Sequence, residues 1–176
     1  MRKIVKPKVT CEEEQKYLDY VDEHRENVMK AFEKNGKRYM LLLGVPEKDY
    51  DMIKAQVQSH DLSKYGKDEF EPYRNRFFPK KDEPYDRDGF EKAWIHHYMN
   101  NPHHWDFWQG IDGEEPREMK LNYLVELLAD WEAMSMKFGG TPLTYYESKY
   151  ESIKLHPKTR KILYDALKQL YPNKTL

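Results

Sequence analysis

The chain of 176 residues is long enough for one domain with a sizeable hydrophobic core and short for two. Its 30 basic and 31 acidic residues leave a formal net charge of -1, without the positive excess that binding to duplex nucleic acid or an anionic membrane requires. Hydrophobic residues make up 39% and aromatic residues 14% of the chain, a composition typical of globular proteins. We therefore expect a small molecule as the partner.

The cysteine content and the hydropathy pattern bear on the cellular compartment. The single cysteine, Cys11, cannot form an internal disulfide, and the sequence shows neither a leader peptide nor a long apolar run. These features predict a reducing, cytoplasmic environment and no membrane segment. The oligomeric state is left open by the sequence.

Apolar periodicity predicts an all-α fold of about six or seven helices, with a short arm at residues 1–9 and one helical domain over residues 10–176. A capping box at Thr10–Glu13 predicts the start of the first helix, and Asn35–Gly36 predicts its end. His24 falls on the apolar stripe of this helix and is expected to face the interior.

The second predicted helix carries a histidine and an aspartate in succession. Pro46 suits its first turn, and the inward face that includes Ile53 continues after seven and eight residues to His60 and Asp61. An adjacent imidazole and carboxylate can offer one metal ion two different kinds of ligand. Lys64 follows one turn later, where its ammonium group can lean towards a bound phosphate.

Three prolines between residues 71 and 86 predict a rim without long regular structure. Arg74 and Arg76 lie in this segment and are candidate outer contacts for a phosphate group. A helix is expected to start after it, capped by Asp86 or Asp88.

On that next helix, periodicity distinguishes between two neighbouring histidines. His97 continues the apolar stripe, whereas His96 is rotated away by about 100°. His97 is therefore the better candidate ligand. The break at Asn101–Pro102 destroys the helical phase before His103 and His104, of which His104 is preferred and His103 is nearly as plausible.

The remaining residues predict three further helices. Glu114–Glu115–Pro116 suits the start of the first of these and Gly139–Gly140 its end, and Asp130 lies on its apolar stripe. Two closing helices are expected near residues 143–155 and 157–171.

Inward-facing histidines and aspartates need partners, because a buried polar or charged group costs several kcal/mol unless it is paired or bound to a metal. Such a mixed set of nitrogen and oxygen ligands suits Mn²⁺, Fe, Co²⁺, Ni²⁺ or Zn²⁺, whereas Mg²⁺ is less favoured and Ca²⁺ prefers oxygen alone. The sequence predicts one or two divalent transition-metal ions.

The order of His24, then His60-Asp61, then Asp130 resembles the HD-domain superfamily of metal-dependent phosphohydrolases, whose members are all-helical. In that family the corresponding residues bind the first metal, and two-metal members carry extra histidines between the His-Asp pair and the late Asp. The His-His-Trp after Asn101–Pro102, followed later by Asp-Trp-Glu-Ala-Met, also resembles a small uncharacterised bacterial and phage family related to this superfamily.

The resemblance implies a site, with Asp61 bridging two ions and with His96 and His103 contacting the ligands or a phosphate. His-Asp-Leu-Ser-Lys resembles the His-Asp-x-x-Lys of some two-metal members and supports a role for Lys64. No Gly-Tyr-Pro follows a His-His pair, so cyclic-dinucleotide hydrolysis is not implied. The implied metal ligands are His24, His60, Asp61, His97, His104 and Asp130.

The function implied by the resemblance is hydrolysis of a phosphomonoester or phosphodiester, with a nucleotide as one candidate. Asp61 would orient or deprotonate a metal-activated water, and Lys64 would stabilise charge on the phosphoryl oxygens. Two alternatives stay open. One is a di-iron oxygenase of the same superfamily, similar to myo-inositol oxygenase, and the other is a catalytically silent module that binds a metal or a nucleotide.

Overall fold

The computed structural model describes residues 5–110 and 114–172, and every regular element within these ranges is a helix. This confirms the predicted all-α class with six or seven helices. None of the described helices carries an apolar stretch long enough to cross a bilayer. The α-helices are α1 (Glu12–Leu43), α2 (Tyr50–Gln58), α3 (Phe70–Phe77), α4 (Arg87–Asn100), α5 (Leu121–Phe138), α6 (Pro142–Ser148) and α7 (Pro157–Leu170), with 3₁₀ turns at Glu47–Asp49, Leu62–Tyr65 and Trp105–Trp108.

The described residues divide into two compact units, each with its own apolar cluster, so the expectation of one hydrophobic centre is wrong. The first unit comprises residues 5–25 and 61–101, and the second comprises residues 26–60, 102–110 and 114–172. The core of the first is built from Tyr17, Leu18, Val21, Tyr65, Phe70, Tyr73 and Ala93. The core of the second includes Phe32, Tyr39, Ile53, Leu124, Leu128, Tyr146 and Leu163.

Helix α1 continues well past Asn35–Gly36, where the sequence predicted its end. Gly36 is buried in the helix, and a Cβ atom at this position would lie 2.7 Å from Cε2 of Phe32. The missing side chain therefore makes room for the Phe32 ring instead of ending the helix. The helix ends at Gly44, whose φ of 73° is left-handed and lets the Val45 amide donate to the Met40 carbonyl at 2.8 Å.

The start of α1 also differs from the prediction. The backbone amide of Thr10 donates to the Glu14 carboxylate at 2.6 Å, and the Thr10 hydroxyl donates to the same group at 2.9 Å. Glu14 thus takes the place that the capping box assigned to Glu13. The predicted boundary between an arm and a helical domain at residue 10 stays a prediction, with α1 beginning at Glu12.

His60 and Asp61 follow a helix instead of lying on one. Helix α2 ends at Gln58, and Asp61 has a left-handed backbone with φ of 55°. Aspartate tolerates this conformation better than most residues. On a continuous helix two successive side chains would diverge by about 100°. With the left-handed backbone conformation at Asp61, the side chains of His60 and Asp61 are each only 1% exposed.

The prolines predicted to disrupt residues 71–86 leave room for helix α3. Pro72 lies in the first turn of α3, where its missing N–H group would have no partner within the helix. Arg74 on α3 is buried, and its Nη2 donates to Glu71 at 2.9 Å and to Glu83 at 2.6 Å. The guanidinium group of Arg74 is therefore held by two carboxylates of the first unit. The side chain of Arg76 lies over the Tyr85 ring, 4.8 Å from its centroid.

Helix α5 begins at Leu121, later than the predicted start at Glu114–Pro116. The segment before it bonds to other parts of the second unit, because the Arg117 amide donates to the Trp108 carbonyl at 2.7 Å and the Met119 amide to the Thr159 hydroxyl at 3.0 Å. These amides are then not used in a helix. The predicted end is confirmed, since Gly139 has φ of 83°.

The paired arginines of α3 allow a direct test of the Arg74 contacts. Arg74→Lys keeps the positive charge but loses the planar fork that reaches both Glu71 and Glu83. We expect it to lower the free energy of unfolding by about 1–3 kcal/mol in urea denaturation. Arg76→Lys, at an exposed position, is the control and should change this quantity by less than about 0.5 kcal/mol. Equal effects of the two substitutions would contradict the assignment.

The same ion pair predicts a pH dependence of stability. The hydrogen bond from Arg74 lowers the pKa of Glu83 from 4.5 to about 2. Because the folded pKa lies below the unfolded one, the pair stabilises the fold above about pH 4.5 and this contribution is lost as the pH falls towards 2. In Glu83→Gln we expect a shallower loss of stability across this interval, measured by urea midpoints at each pH. Glu91→Gln, at an exposed position, should keep the wild-type slope.

Candidate metal centre

A buried group of five side chains in the first unit, here called the Asp61 cluster, contains His24, Asp61, Lys64, Glu69 and His97. The two oxygens of Asp61 face different histidines, with Nε2 of His24 3.6 Å from Oδ2 and Nε2 of His97 3.4 Å from Oδ1. Both distances exceed the usual range for an N–H···O hydrogen bond. Two ligand atoms about 2.1 Å from one ion, at a tetrahedral angle, lie about 3.4 Å apart. Each oxygen and its facing nitrogen thus have the spacing of two ligands that share an ion.

Lys64 brings a positive charge to the same carboxylate. Its Nζ lies 2.7 Å from Oδ2 of Asp61, and the side chain is largely buried. The 3₁₀ turn Leu62–Tyr65 that follows the left-handed Asp61 places the lysine three residues later on the same side. The cluster therefore combines imidazole nitrogens, a carboxylate and an ammonium group.

Glu69 orients two neighbouring histidines of α4. Its Oε2 accepts from Nδ1 of His97 at 2.8 Å, and its Oε1 accepts from Nδ1 of His96 at 2.7 Å. Burial opposes ionisation of Glu69, but the hydrogen bonds and charge of His97, with the hydrogen bond of His96, lower its net pKa. An ionised carboxylate can only accept, so Nδ1 of His97 carries the proton and Nε2 points to Asp61. Burial also lowers the pKa of His97, which favours the neutral imidazole that binds metals.

A second buried group, here called the His60 cluster, lies in the second unit and contains His60, His103, Glu126 and Asp130. One oxygen of Glu126 accepts from Nδ1 of both His60 and His103, at 2.9 and 3.1 Å. Nε2 of His60 lies 3.8 Å from Oδ1 of Asp130. Burial opposes ionisation of Glu126, but the charge and hydrogen bonds of His103 and His60 lower its pKa to about 2. The two rings lie with their centroids 4.2 Å apart.

Helices α2 and α5 hold the His60 cluster together. Glu126 and Asp130 are four residues apart on α5, so they share one face of it. Gln56, near the end of α2, donates to the second oxygen of Glu126 at 2.5 Å and accepts from the Asn122 amide at 2.7 Å. These polar contacts, together with buried Ile53 and Leu124, set the position of the turn that carries His60.

The predicted ligands are buried or half-buried, as the apolar stripes indicated, while their role as metal ligands stays a prediction. His24, His60, Asp61 and His97 are at most 6% exposed, and Asp130 is half-buried. The side chains that could hold a metal ion are His24, His60, Asp61, His97, His103, His104 and Asp130.

Within the second histidine pair, the predicted preference for His104 as a metal ligand stays a prediction, and the two side chains differ in burial. His103 is 2% exposed and bonds to Glu126, whereas His104 is half-buried, with its ring centroid 4.4 Å from that of His103. Helix α4 ends before Pro102, so no helical phase could order this pair. His96 is half-buried against Glu69, and Arg74 and Arg76 belong to neither cluster.

Sequence reasoning missed the two glutamates that orient the histidines. Glu126 left a usable signal, because it lies four residues before Asp130 on a helix whose apolar stripes were evident. Glu69 left none, since it precedes α3 in a segment rich in charges where no periodicity applies. Both are nevertheless among the most buried acidic residues of the described chain.

One family matches the chain. Its description is "Family of unknown function (DUF5662)", and the match covers residues 13–169. The comparisons with curated proteins and with solved structures found no match. The matched range contains every residue of the Asp61 and His60 clusters.

The two glutamates should control metal affinity through the histidines that they orient. Glu69→Gln and Glu126→Gln keep the size of the side chain but replace a charged acceptor with a neutral amide. We expect each to weaken Co²⁺ binding about 10–100-fold in isothermal titration calorimetry. Glu118→Gln, at an exposed position, is the control and should bind as the wild type does. Wild-type affinity in both cluster variants would show that the glutamates do not support a metal site.

Proposed function

The chain belongs to this family of unknown function, DUF5662, and we propose that it is a metal-dependent phosphohydrolase acting on a phosphomonoester or phosphodiester. The observation that carries the proposal is the carboxylate of Asp61, each oxygen of which faces Nε2 of a different buried histidine at 3.4 or 3.6 Å. That arrangement is what a carboxylate bridging two ions requires. The ordered resemblance of His24, His60-Asp61 and Asp130 to the HD-domain superfamily supports the same chemistry.

The donor sets of both clusters fit divalent transition metals. Buried imidazoles with one or two carboxylates suit Mn²⁺, Fe, Co²⁺, Ni²⁺ or Zn²⁺ better than Mg²⁺ or Ca²⁺, which prefer oxygen. A bound ion would supply an activated water at neutral pH and polarise a phosphoryl oxygen. The residues proposed to hold one or two ions are His24, Asp61 and His97 in the Asp61 cluster and His60, His103 and Asp130 in the His60 cluster, with His104 still a predicted ligand.

The side chains of the two clusters have different roles in the proposed hydrolysis. Asp61 orients the attacking water and takes its proton as the oxygen of that water bonds to phosphorus and the ester P–O bond breaks. Lys64, whose Nζ lies 2.7 Å from Asp61, stabilises the negative charge that collects on the phosphoryl oxygens. Glu69 and Glu126 keep the imidazoles in one tautomer, so that their orientation need not be established during the reaction.

The imidazole-rich donor sets also suit iron, which favours the oxygenase as a second candidate. The two functions differ in what they consume. Oxygen uptake by iron-loaded protein, without phosphate release from any ester, would favour the oxygenase. Tight metal binding without either reaction would favour the silent module.

The proposal is tested with a panel of phosphomonoesters, phosphodiesters and nucleotides, with Mn²⁺, Fe²⁺, Co²⁺, Ni²⁺ and Zn²⁺ in turn. The assay measures inorganic phosphate released from monoesters and the alcohol and monoester formed from diesters. Activity should depend on the added ion and be lost with a chelator. Asp61→Asn keeps the shape of the side chain and removes its charge, and we expect it to lower kcat at least about 100-fold. Activity of the wild type that is unchanged in Asp61→Asn would refute the proposed site.

A substitution of Lys64 distinguishes an effect on the phosphoryl group from an effect on metal binding. Lys64→Met keeps the length and apolar character of the stem, and we expect kcat/KM to fall about 10–100-fold while the metal content per protein stays at the wild-type value. Lys67→Met, three residues further along the chain at an exposed position, is the matched control and should keep full activity. Loss of metal together with activity in Lys64→Met would assign Lys64 to the fold of the cluster instead.

A further inference from the structure

Two buried tyrosines in the first unit have hydroxyl groups that contribute nothing to packing beyond what a phenylalanine would contribute. Tyr17 is 1% exposed and Tyr73 is 5% exposed. Within the described residues, neither hydroxyl has a hydrogen-bond partner. A buried hydroxyl without a partner destabilises the fold, because the group has lost its bonds to water and gained nothing in return. Such a group indicates a ligand that supplies the missing bond.

Both tyrosines belong to the apolar core of the first unit, and Tyr73 contacts the Asp61 cluster directly. Burial raises the pKa of Tyr17 and of Tyr73, and the negative charges of Asp61 and Glu69 raise both further. The ring of Tyr73 meets that of His97 edge to face, with centroids 5.6 Å apart. Nζ of Lys64 lies 5.7 Å from the Tyr73 ring centroid. The two hydroxyls therefore belong to the surroundings of Asp61, on the same unit as Lys64.

The chemistry of these groups selects the kind of ligand. A phenol keeps its proton at neutral pH and acts as a hydrogen-bond donor. The two hydroxyls and the ammonium group of Lys64 are hydrogen-bond donors of the same unit, and Nζ of Lys64 lies over the Tyr73 ring. Their complement is an anion with several acceptor oxygens, and a phosphoryl group has three. A neutral, apolar ligand would leave both hydroxyls unsatisfied.

We infer that Tyr17 and Tyr73 form an oxyanion-binding pair, each donating a hydrogen bond to a non-bridging oxygen of a phosphoryl group held at the Asp61 cluster. The identification of the anion as a phosphoryl group rests on the proposed function. Oxygen donors of this kind add no charge, so they strengthen phosphate binding without competing with the metal for Asp61. They would act on inorganic phosphate, the product, as well as on the ester.

The test uses inorganic phosphate as the probe and Phe as the substitution, since Tyr17→Phe and Tyr73→Phe keep the ring and remove only the hydroxyl. Titration calorimetry on the metal-loaded protein should show phosphate binding weakened about 5–10-fold in each variant and about 30–100-fold in the double variant. The urea midpoint of the metal-free variants should equal or exceed that of the wild type, because no native hydrogen bond is lost.

Tyr65→Phe is the matched control in the same unit. The Tyr65 hydroxyl donates to Asp22 at 2.5 Å and accepts from Arg25 at 3.1 Å, so it has partners within the protein. Its removal should lower the urea midpoint and leave the phosphate affinity unchanged. This signature is the reverse of the one expected for Tyr17 and Tyr73.

The outcomes separate this inference from the proposed function. Wild-type phosphate affinity in both single variants, or no phosphate binding by the wild-type protein, would overturn the inference. A lower urea midpoint with unchanged affinity would assign the hydroxyls to the fold and overturn it as well. Phosphate binding that depends on both hydroxyls, without hydrolysis of any ester, would sustain the inference and remove the proposed function.

Discussion

Three carboxylates with almost no contact with water constrain the rest of this structure. Asp61, Glu69 and Glu126 are 1%, 0% and 4% exposed, and an ionised carboxylate in such a place costs several kcal/mol unless it is compensated. Glu69 and Glu126 are compensated by imidazole N–H groups, and Asp61 is compensated by the ammonium group of Lys64. Removing one member would leave a buried charge behind. The clusters therefore have to be built as a whole, which ties helices distant in the sequence to the same few side chains.

The two glutamates share a design that gives the histidines a defined protonation state. Glu69 accepts from His96 and His97, and Glu126 accepts from His60 and His103. In both cases the carboxylate accepts a hydrogen bond from Nδ1 of each ring, so Nε2 is directed away from the carboxylate. This pattern of carboxylate and histidine is typical of metal sites, where the acid sets the tautomer and the orientation of the ring. Histidines and aspartates of both clusters are therefore able to hold a metal ion.

Much of the fold followed from local patterns, and the exceptions have specific causes. The end of α5 at Gly139, the cap of α4 by Asp86 and the last helix, α7, came close to prediction because each depends on residues adjacent in sequence. Helix α6 ends at Ser148, well before the predicted end near residue 155. The length of α1 was not predicted correctly, because the missing side chain of Gly36 makes room for the Phe32 ring and does not end the helix. The late start of α5 depends on Thr159, which is far away in the chain. A propensity read over a few residues cannot include such partners.

For the candidate site, the sequence by itself determined which helical side chains lie on apolar stripes: His24 and His97, which are buried, and Asp130, which is half-buried. It also singled out the pair His60-Asp61. Periodicity suffices for this, because burial of a helical face repeats every three to four residues. Only the tertiary structure decided how both members of that pair become buried, through the left-handed backbone of Asp61, and which acids orient the histidines. The reason is physical. A hydrogen bond between Glu126 and His60 joins residues 66 positions apart, and no local pattern encodes the packing of α2 against α5 that brings them within 2.9 Å.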